Sequence, residues 1–524
     1  MAWTDRGNLA ANDIHSDPLD EFLVSGGDGR LTLSAAQENA YGCTPFPAAG
    51  LIDFASSTAS SISPAAYARA RIAHEELLTA SLHRGPDAAC EAAVENARSQ
   101  LLELLQIDNA EVVFSASGTD AQLQTLYLMR LLNAGRLATV IAGADQTGSG
   151  TAHTAWGRHF SQTTSIGAAV EKGAAIKGLE DITGIEVCFR RHDGEFRSAA
   201  EMDAAVLAAV EQALSTHDHV LLQAMEASKF GWKAPSDDLL DTVAARWPGR
   251  VQIVADACQL RISRARLNRL LAKGMMVLVT GSKFFTGPAF SGAVLVPRAL
   301  SNRIAHITAP GGLLAGYATR FDWPQNWTGL RNRFSHHFNF GQWLRWEAAL
   351  EEMRLYYAVP RDFRDHVVQV FGEEMQSLTG MSAHLAPLDG GADFAPAGAT
   401  IFAVQLMKDG EALSASACAE IYRAMRRDMS AYATTMRDGD LLRLACQLGQ
   451  PVALADGKAA LRFSLSARIV RDCWSADPVR AENNIAALRD DLIIAVRKLG
   501  LLVQRYPFSC HPFSCHPISC HPIS

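Results

Sequence analysis

The chain has no apolar run long enough to cross a membrane, no CxxC pair, no basic run and no surplus of positive charge. A membrane span needs about 18 or more uncharged apolar residues in a row, and none occurs in the 524-residue sequence. The net charge of −7 gives no electrostatic footprint for nucleic acid and no pull toward an anionic membrane. The opening MAWTDRGNLAANDIHSDPLDEF has early acidic residues and no apolar h-region, so a secretory signal is not expected and a cytoplasmic location is. Seven of the ten cysteines (Cys43, Cys90, Cys188, Cys258, Cys418, Cys446 and Cys473) are scattered. That pattern fits reduced, mostly buried thiols rather than a disulfide framework.

What the sequence does have is the makeup of a folded protein, 48% hydrophobic and 20% charged, with length for about two or three domains. Between residues 111 and 297, short β-rich runs alternate with Ala- and Leu-rich helical stretches such as AEMDAAVLAAVEQALSTH. The runs are EVVFSAS, LATVIAGAD, IEVCFRR, HVLLQAME, VQIVADA, MMVLVTG and GAVLVP. They predict seven strands in a mostly parallel sheet covered on both faces by helices. Ahead of them, DAACEAAVENARSQLLELL predicts a helix capped by Asp87. Behind them, residues 321–346 form a stretch rich in Trp, Phe and His. It would either line a mouth or a contact, or pack as an excursion of the surface. The expected division is an N-terminal extension (1–45), a large α/β domain (46–335), a smaller α+β domain (336–505) and a tail (506–524). The tail repeats PFSCH and PISCH with a period of five. Its Cys–His pairs are metal-ligand types, but the recurring proline prevents a helix and the composition reads as disorder. His336 and His337 have no third ligand suitably spaced, so no metal site is expected.

In a parallel α/β sheet, ligands sit at the carboxyl ends of the strands, and four features fall there. In FSASGTDAQLQTLYL, the N–H groups of Gly118, Thr119 and Asp120 with the Thr119 hydroxyl would cradle an anion at a helix start. The same letters also serve a plain turn and cap. In VQIVADACQLR, Asp256 follows an apolar strand, where a carboxylate needs a partner. A protonated pyridine nitrogen would serve; so, for a capping aspartate, would a helix start. Gln259 is placed to donate to a phenolate. In VTGSKFFTGPAFSGAVLVP, Lys283 lies 27 residues beyond Asp256, one strand–helix–strand step along the same edge. A lysine in a partly apolar pocket can form a Schiff base with an aldehyde, and Ser282 would add a hydroxyl for a phosphate. In AALRFSLSARIV, Arg462 would aim its planar fork at a substrate carboxylate, with Arg468 as competitor and a solvent-facing charge as the plainer alternative.

In this order SGTDA, ADACQ, TGSKFFTGPAFSGAVLV and LRFSLS resemble the fold-type I pyridoxal-phosphate enzymes, and within them the class V aminotransferase and cysteine desulfurase group. The group has a similar Asp-x-x-Gln, a similar Ser-x-Lys before a glycine-rich strand, and a late Arg-hydrophobic-Ser. The resemblance covers residues 50 to 300 well and the stretch up to the tail more loosely. It implies an α/β fold with a central seven-stranded sheet and a smaller C-terminal α+β domain, and pyridoxal 5'-phosphate as cofactor. It makes Lys283 the cofactor-binding lysine, Asp256 the ring-nitrogen partner and Gln259 the donor to the ring oxygen. Gly118, Thr119, Asp120 and Ser282 would lie at the phosphate, and Arg462 would clamp the substrate carboxylate. The group's ring-stacking histidine has no direct match: Gln146 falls nearest, ahead of His153. The desulfurase nucleophile would have to be Cys418 or Cys446, and Cys418 sits in an amphipathic helix, as a structural thiol does. The implied function is a homodimeric enzyme acting on an amino acid or amine, aminotransferase-like first. A C–S lyase or a cofactor-binding sensor without turnover are the alternatives.

Overall fold

The computed structural model describes residues 19–307, 314–388, 394 and 399–507. The predicted repeat from residue 508 on, and the first 18 residues of the extension, lie outside the described residues.

Strand β1 (Leu51–Phe54) comes first, followed by the helices Pro64–Arg84 and Pro86–Leu105. The seven apolar runs then form β2 (Ala110–Ser115), β3 (Leu137–Ala142), β4 (Thr183–Val187), β5 (His219–Met225), β6 (Val251–Ala257), β7 (Met276–Thr280) and β8 (Gly292–Pro297). They make one sheet in the order β2-β8-β7-β6-β5-β3-β4. Only β8 runs against its neighbours, β2 and β7; the other pairings are parallel. The fold is thus the α/β arrangement read from the sequence. Near-continuous apolar strands suit it because helices bury both faces: on β2, Val112 and Phe114 join one core and Val113 the other.

Serine side chains cap the helices that start at Pro64, Gly118, Ala199, Asp237 and Arg264, each accepting an N–H of the first turn. The helix Pro86–Leu105 differs from expectation at its start. Gly85 occupies the cap position and Asp87 lies in the first turn, with Pro86 ahead of it. Proline suits a first helical position because its missing N–H would have had no partner there.

Within the stretch 321–346 most aromatic side chains are interior, while Gln325, Asn326, Asn332, Arg333, Ser335 and His336 are exposed. Trp323 and Trp327 belong to the core under one sheet face, and Trp346 to the other. Their indoles are anchored, Trp327 Nε1 donating to Ser301 Oγ at 2.9 Å and Trp346 Nε1 to the Gly292 carbonyl at 3.0 Å.

A second sheet holds β9 (Leu385–Pro387), β10 (Ile401–Lys408), β11 (Glu411–Ala412), β12 (Ala445–Ala453) and β13 (Ala459–Ser464), with β1 on its edge. β1 pairs in parallel with β12, Leu51 opposite Ala445 and Phe54 opposite Leu448. The chain therefore leaves the second sheet at Phe54 and passes at once toward the carboxyl edge of the first.

Candidate active site

Strands β6 and β7 are parallel neighbours, with Asp256 opposite Leu278 and Ala257 opposite Val279, so residues just beyond both ends share one edge. The helix Gly118–Leu132 begins there too. A Cβ built on Gly118 would lie 2.7 Å from Cys258 Sγ and 3.4 Å from Thr280 Cγ2, so only glycine admits this close approach of helix start and strand ends. Thr280 Oγ1 donates to the Cys258 carbonyl at 2.6 Å and ties the two strand ends together.

At the helix start, the Asp120 amide donates to Ser117 Oγ at 3.2 Å and the Ala121 amide to the Ser117 carbonyl at 2.9 Å. The Asp120 N–H, expected in the anion cradle, is therefore engaged by the cap. The Gly118 and Thr119 amides remain, together with the Thr119 and Ser282 hydroxyls. These four groups make no hydrogen bond to other described residues, and both side chains are buried. Asp120 itself accepts from Ser117 Oγ at 2.5 Å. Burial pushes its carboxyl up to about 6, with Asp28 adding to the effect and Arg30 opposing it.

Asp256 is held on both oxygens. Oδ1 accepts from the Cys258 amide at 3.1 Å and Oδ2 from Gln122 Nε2 at 3.0 Å. Gln122 is fixed in turn by Thr154, whose hydroxyl donates to Gln122 Oε1 at 3.1 Å. The carboxylate thus sits at the end of a Thr154–Gln122–Asp256 chain that fixes its orientation.

Lys283 reaches the same edge from the turn between β7 and β8. Its Nζ donates to the Ser57 carbonyl at 3.4 Å. Burial brings its ammonium down to about 8, and the charge of Arg462 works in the same direction. The Ser57 carbonyl also accepts from Gln259 Nε2 at 3.0 Å and from Arg462 Nη1 at 3.4 Å. One peptide oxygen therefore gathers three of the residues singled out in the sequence.

Arg462, on β13, is buried with no carboxylate against it. Its Nε and Nη2 both donate to the Gln450 carbonyl, at 3.2 and 2.9 Å, and Nη2 also reaches Thr58 Oγ1 at 2.9 Å. Nη1 makes only two longer bonds, to the carbonyls of Ser57 and Lys229 at 3.4 and 3.2 Å. Its Nη1 edge is the part that can exchange a weak partner for a better one. Burial lowers this guanidinium to about 10. Arg468, the competitor, is committed elsewhere: it pairs with Glu352 at 3.0 Å and donates to the Thr286 and Ser61 carbonyls at 2.8 and 3.0 Å.

Gln146 is buried beside Ser228 and Lys229. Its Oε1 accepts from Ser228 Oγ at 2.5 Å and its carbonyl from the Lys229 amide at 3.2 Å, while its Nε2 is a buried donor with no partner among the described residues. His153 sits instead among Lys172 and Arg158, its imidazole pulled down by burial and then by those charges.

Gln122, Lys229, Arg261 and the Ser56–Thr58 segment belong to the site and were not foreseen. Arg261 donates to Ser56 Oγ at 2.8 Å, Thr400 Oγ1 at 2.9 Å and the Leu465 carbonyl at 2.7 Å, with its guanidinium 5.3 Å from the Phe284 ring centre. Burial, then Arg462, bring it down to about 9. Gln122 is one of several polar residues in the first two turns of its helix, so nothing local singles it out, and nothing local marks Lys229 or Ser57.

Cys418 and Cys446 are fully buried, and burial pushes both thiols up to about 11. Among the described residues no cluster of His, Cys, Asp and Glu could hold a metal ion. No described helix is long and apolar enough to cross a membrane.

The donor set suits an anionic, ring-bearing aldehyde. Two free amides and two free hydroxyls await an oxyanion, an orphaned buried amide lies at Gln146, a fixed carboxylate stands at Asp256, and a lysine inclined to neutrality stands at Lys283.

No family model and no curated protein sequence matches the chain. Among solved structures, it is similar to the cystine C–S lyase C-DES in complex with cysteine persulfide, at 14% identity and TM-score 0.49 over 84% of this chain and 98% of that one. It is similar to a phosphoserine aminotransferase from Cytophaga hutchinsonii at 13% identity and TM-score 0.48, over 84% and 99% of the two chains. A TDC from Oryza sativa with PLP and tryptamine matches at 14% identity and TM-score 0.47, over 85% and 84%. These are likenesses of chain trace alone; what the site does is set by its own side chains.

Proposed function

We propose that the chain is a pyridoxal-phosphate-dependent enzyme acting on an amino acid or amine, with aminotransferase-type chemistry. The observation that carries this is the lysine–carboxylate pair at one sheet edge: Lys283, brought down to about 8 by burial and Arg462, one strand from an Asp256 held on both oxygens. Gly118, Thr119 and Ser282 would hold the phosphate, Asp256 the protonated ring nitrogen, Gln259 the ring oxygen, and the Lys283 amine the aldehyde carbon. Pyridoxal phosphate bound there would supply an electron sink for the carbon next to the substrate nitrogen. The chain's own residues do the rest. Arg462 Nη1 orients the substrate carboxylate. Lys283 Nζ, in its neutral form, would take the proton from the substrate α-carbon and hold it as an ammonium for return. An amine poised near neutral pH suits that shuttle. A homodimer and a cytoplasmic location belong to the same reading. β-Elimination from a sulfur-bearing amino acid needs the same lysine and remains the second reading.

The test is to add pyridoxal phosphate to purified protein, record the visible absorbance of a lysine-bound aldehyde, and then titrate amino acids and amines while assaying keto acid, sulfide and ammonia. Lys283→Ala should lose the band and reduce turnover at least ~100-fold. A protein that stays colourless refutes the reading. A coloured protein whose band no substrate shifts is a sensor.

A further inference from the structure

Lys229, at the turn after β5, is a cation for which the proposed chemistry has no use. Its amide donates to the Gln146 carbonyl and its own carbonyl accepts Arg462 Nη1 at 3.2 Å, so it is stitched to the site by its backbone. Its ammonium makes neither hydrogen bond nor ion pair with any described residue. The residue is half-buried, and its ammonium feels the repulsion of both Arg462 and Lys283. The one carboxylate that acts on it, Asp145, is already engaged by the amides of Phe189 and Arg190, at 2.7 and 3.3 Å.

Another lysine shows what a purely structural role looks like in this fold. Lys498 is fully buried, and its Nζ donates to the Arg427 carbonyl at 2.8 Å and to the Leu444 carbonyl. A half-buried ammonium crowded by two like charges and without such acceptors is costly to keep, so the position of Lys229 makes sense when an anion completes it. The charges near it point the same way. Arg261, Lys283 and Arg462 gather around the Ser56–Thr58 segment, and the Lys229 ammonium lies close enough to Lys283 and Arg462 to be repelled by both. Asp256, the carboxylate on this edge, is committed to Gln122 and the Cys258 amide. A substrate α-carboxylate on Arg462 would neutralise one of these cations and leave Lys229 unanswered.

We propose that Lys229 receives a second anionic group on the substrate, so that the amino acids this site prefers have side chains ending in a carboxylate. Lys229 is then a specificity-determining residue one peptide away from the α-carboxylate clamp. This rests on the reading of Lys283 and Arg462 given above.

The experiment compares binding of glutarate and valerate, a dianion and a monoanion of equal chain length, to the pyridoxal-phosphate-loaded protein by calorimetry. The wild type is measured beside Lys229→Met and Lys229→Arg, and the same three proteins are titrated with glutamate and norvaline while the visible band is followed. We expect the wild type to bind the dianion at least ~10-fold more tightly, the increment of one charge-assisted hydrogen bond. Lys229→Met should bring the ratio to about one, and Lys229→Arg should keep most of it. A wild type that takes up the cofactor yet shows a ratio near one overturns the assignment while leaving Lys283 in place. So does an unchanged ratio in Lys229→Met. A wild type that never develops the band overturns the underlying reading as well, and the absence of the band tells the two failures apart. Because the wild-type ratio needs no variant, a substitution that fails to fold does not decide the matter.

Discussion

Gln122 donates its side-chain amide to Asp256 Oδ2 at 3.0 Å, from the second turn of a helix whose start is the candidate anion cradle. Cradle and carboxylate are therefore oriented by one rigid element, and a ligand that spans both meets a fixed separation. Replacing Gln122 by Leu should leave the fold intact and weaken pyridoxal phosphate binding by about 10-fold, the scale of one hydrogen bond to a charged group. Fluorescence titration of the cofactor-free protein measures it; unchanged affinity would show that Asp256 needs no such support.

The second prediction concerns pH. Lysine ordinarily titrates near 10.5, and Lys283 is brought to about 8 because burial and the neighbouring Arg462 penalise its charged form. The rate of aldehyde capture should thus rise about tenfold per pH unit up to about 8 and then level off, since only the neutral amine reacts. Removing the charge in Arg462→Met should move the break to higher pH. The stability of the cofactor-free protein carries the same signature. Between about 8 and 10.5 the unfolded lysine holds a proton that the folded one has released. Stability therefore climbs with pH across that window, and below it the cost of the buried charge is fully present. Stopped-flow absorbance and denaturant titrations from pH 6 to 11 check both.

Gly118→Ala should interfere with the cradle, because the new methyl would stand 2.7 Å from Cys258 Sγ. Loss of cofactor affinity by about 10-fold or more is expected, with destabilisation of about 1–3 kcal/mol from overpacking. Cys258→Ala in the same chain removes the obstructing sulfur and should restore much of both. A double variant no better than the single one would place the constraint in the backbone instead.

Cys418 and Cys446, with thiols pushed up to about 11 by burial, should resist alkylation in the native protein at pH 7.5 and react only on unfolding. Peptide mapping after iodoacetamide treatment reads this directly. Rapid native labelling of either would revive a persulfide-carrying role for it.

The strands were legible because their apolar runs are continuous and their helices strongly patterned, and the placing of Asp256 and Lys283 on one edge followed from their spacing, while the order of the strands did not. Lys283 and Gln259 could be named as candidates because each stands just beyond such a run, and Asp256 because it is a lone carboxylate at the end of one. Ser57 and Lys229 could not. They enter the site from loops, about 226 and 54 residues from Lys283 along the chain, and their role depends on where two sheets meet. The cradle was legible in outline but not in detail: Asp120 looked like a third amide donor, and only the geometry of the Ser117 cap shows that its N–H is taken. The aromatic stretch 321–346 was ambiguous since a buried tryptophan and an exposed one are spelled alike.

The Ser57 carbonyl accepts from a turn of the first sheet, from Gln259 two residues past the end of β6, and from an arginine on the second sheet. The strand just before it, β1, is an edge of that second sheet. An expression fragment trimmed to begin at the helix Pro64–Arg84 would therefore lose more than a leader. It would forfeit the bolt joining the two halves, leaving two cationic side chains and one glutamine amide to seek water or one another, and a bisected chain would have to be supplied with residues 51–58 in trans before it could close.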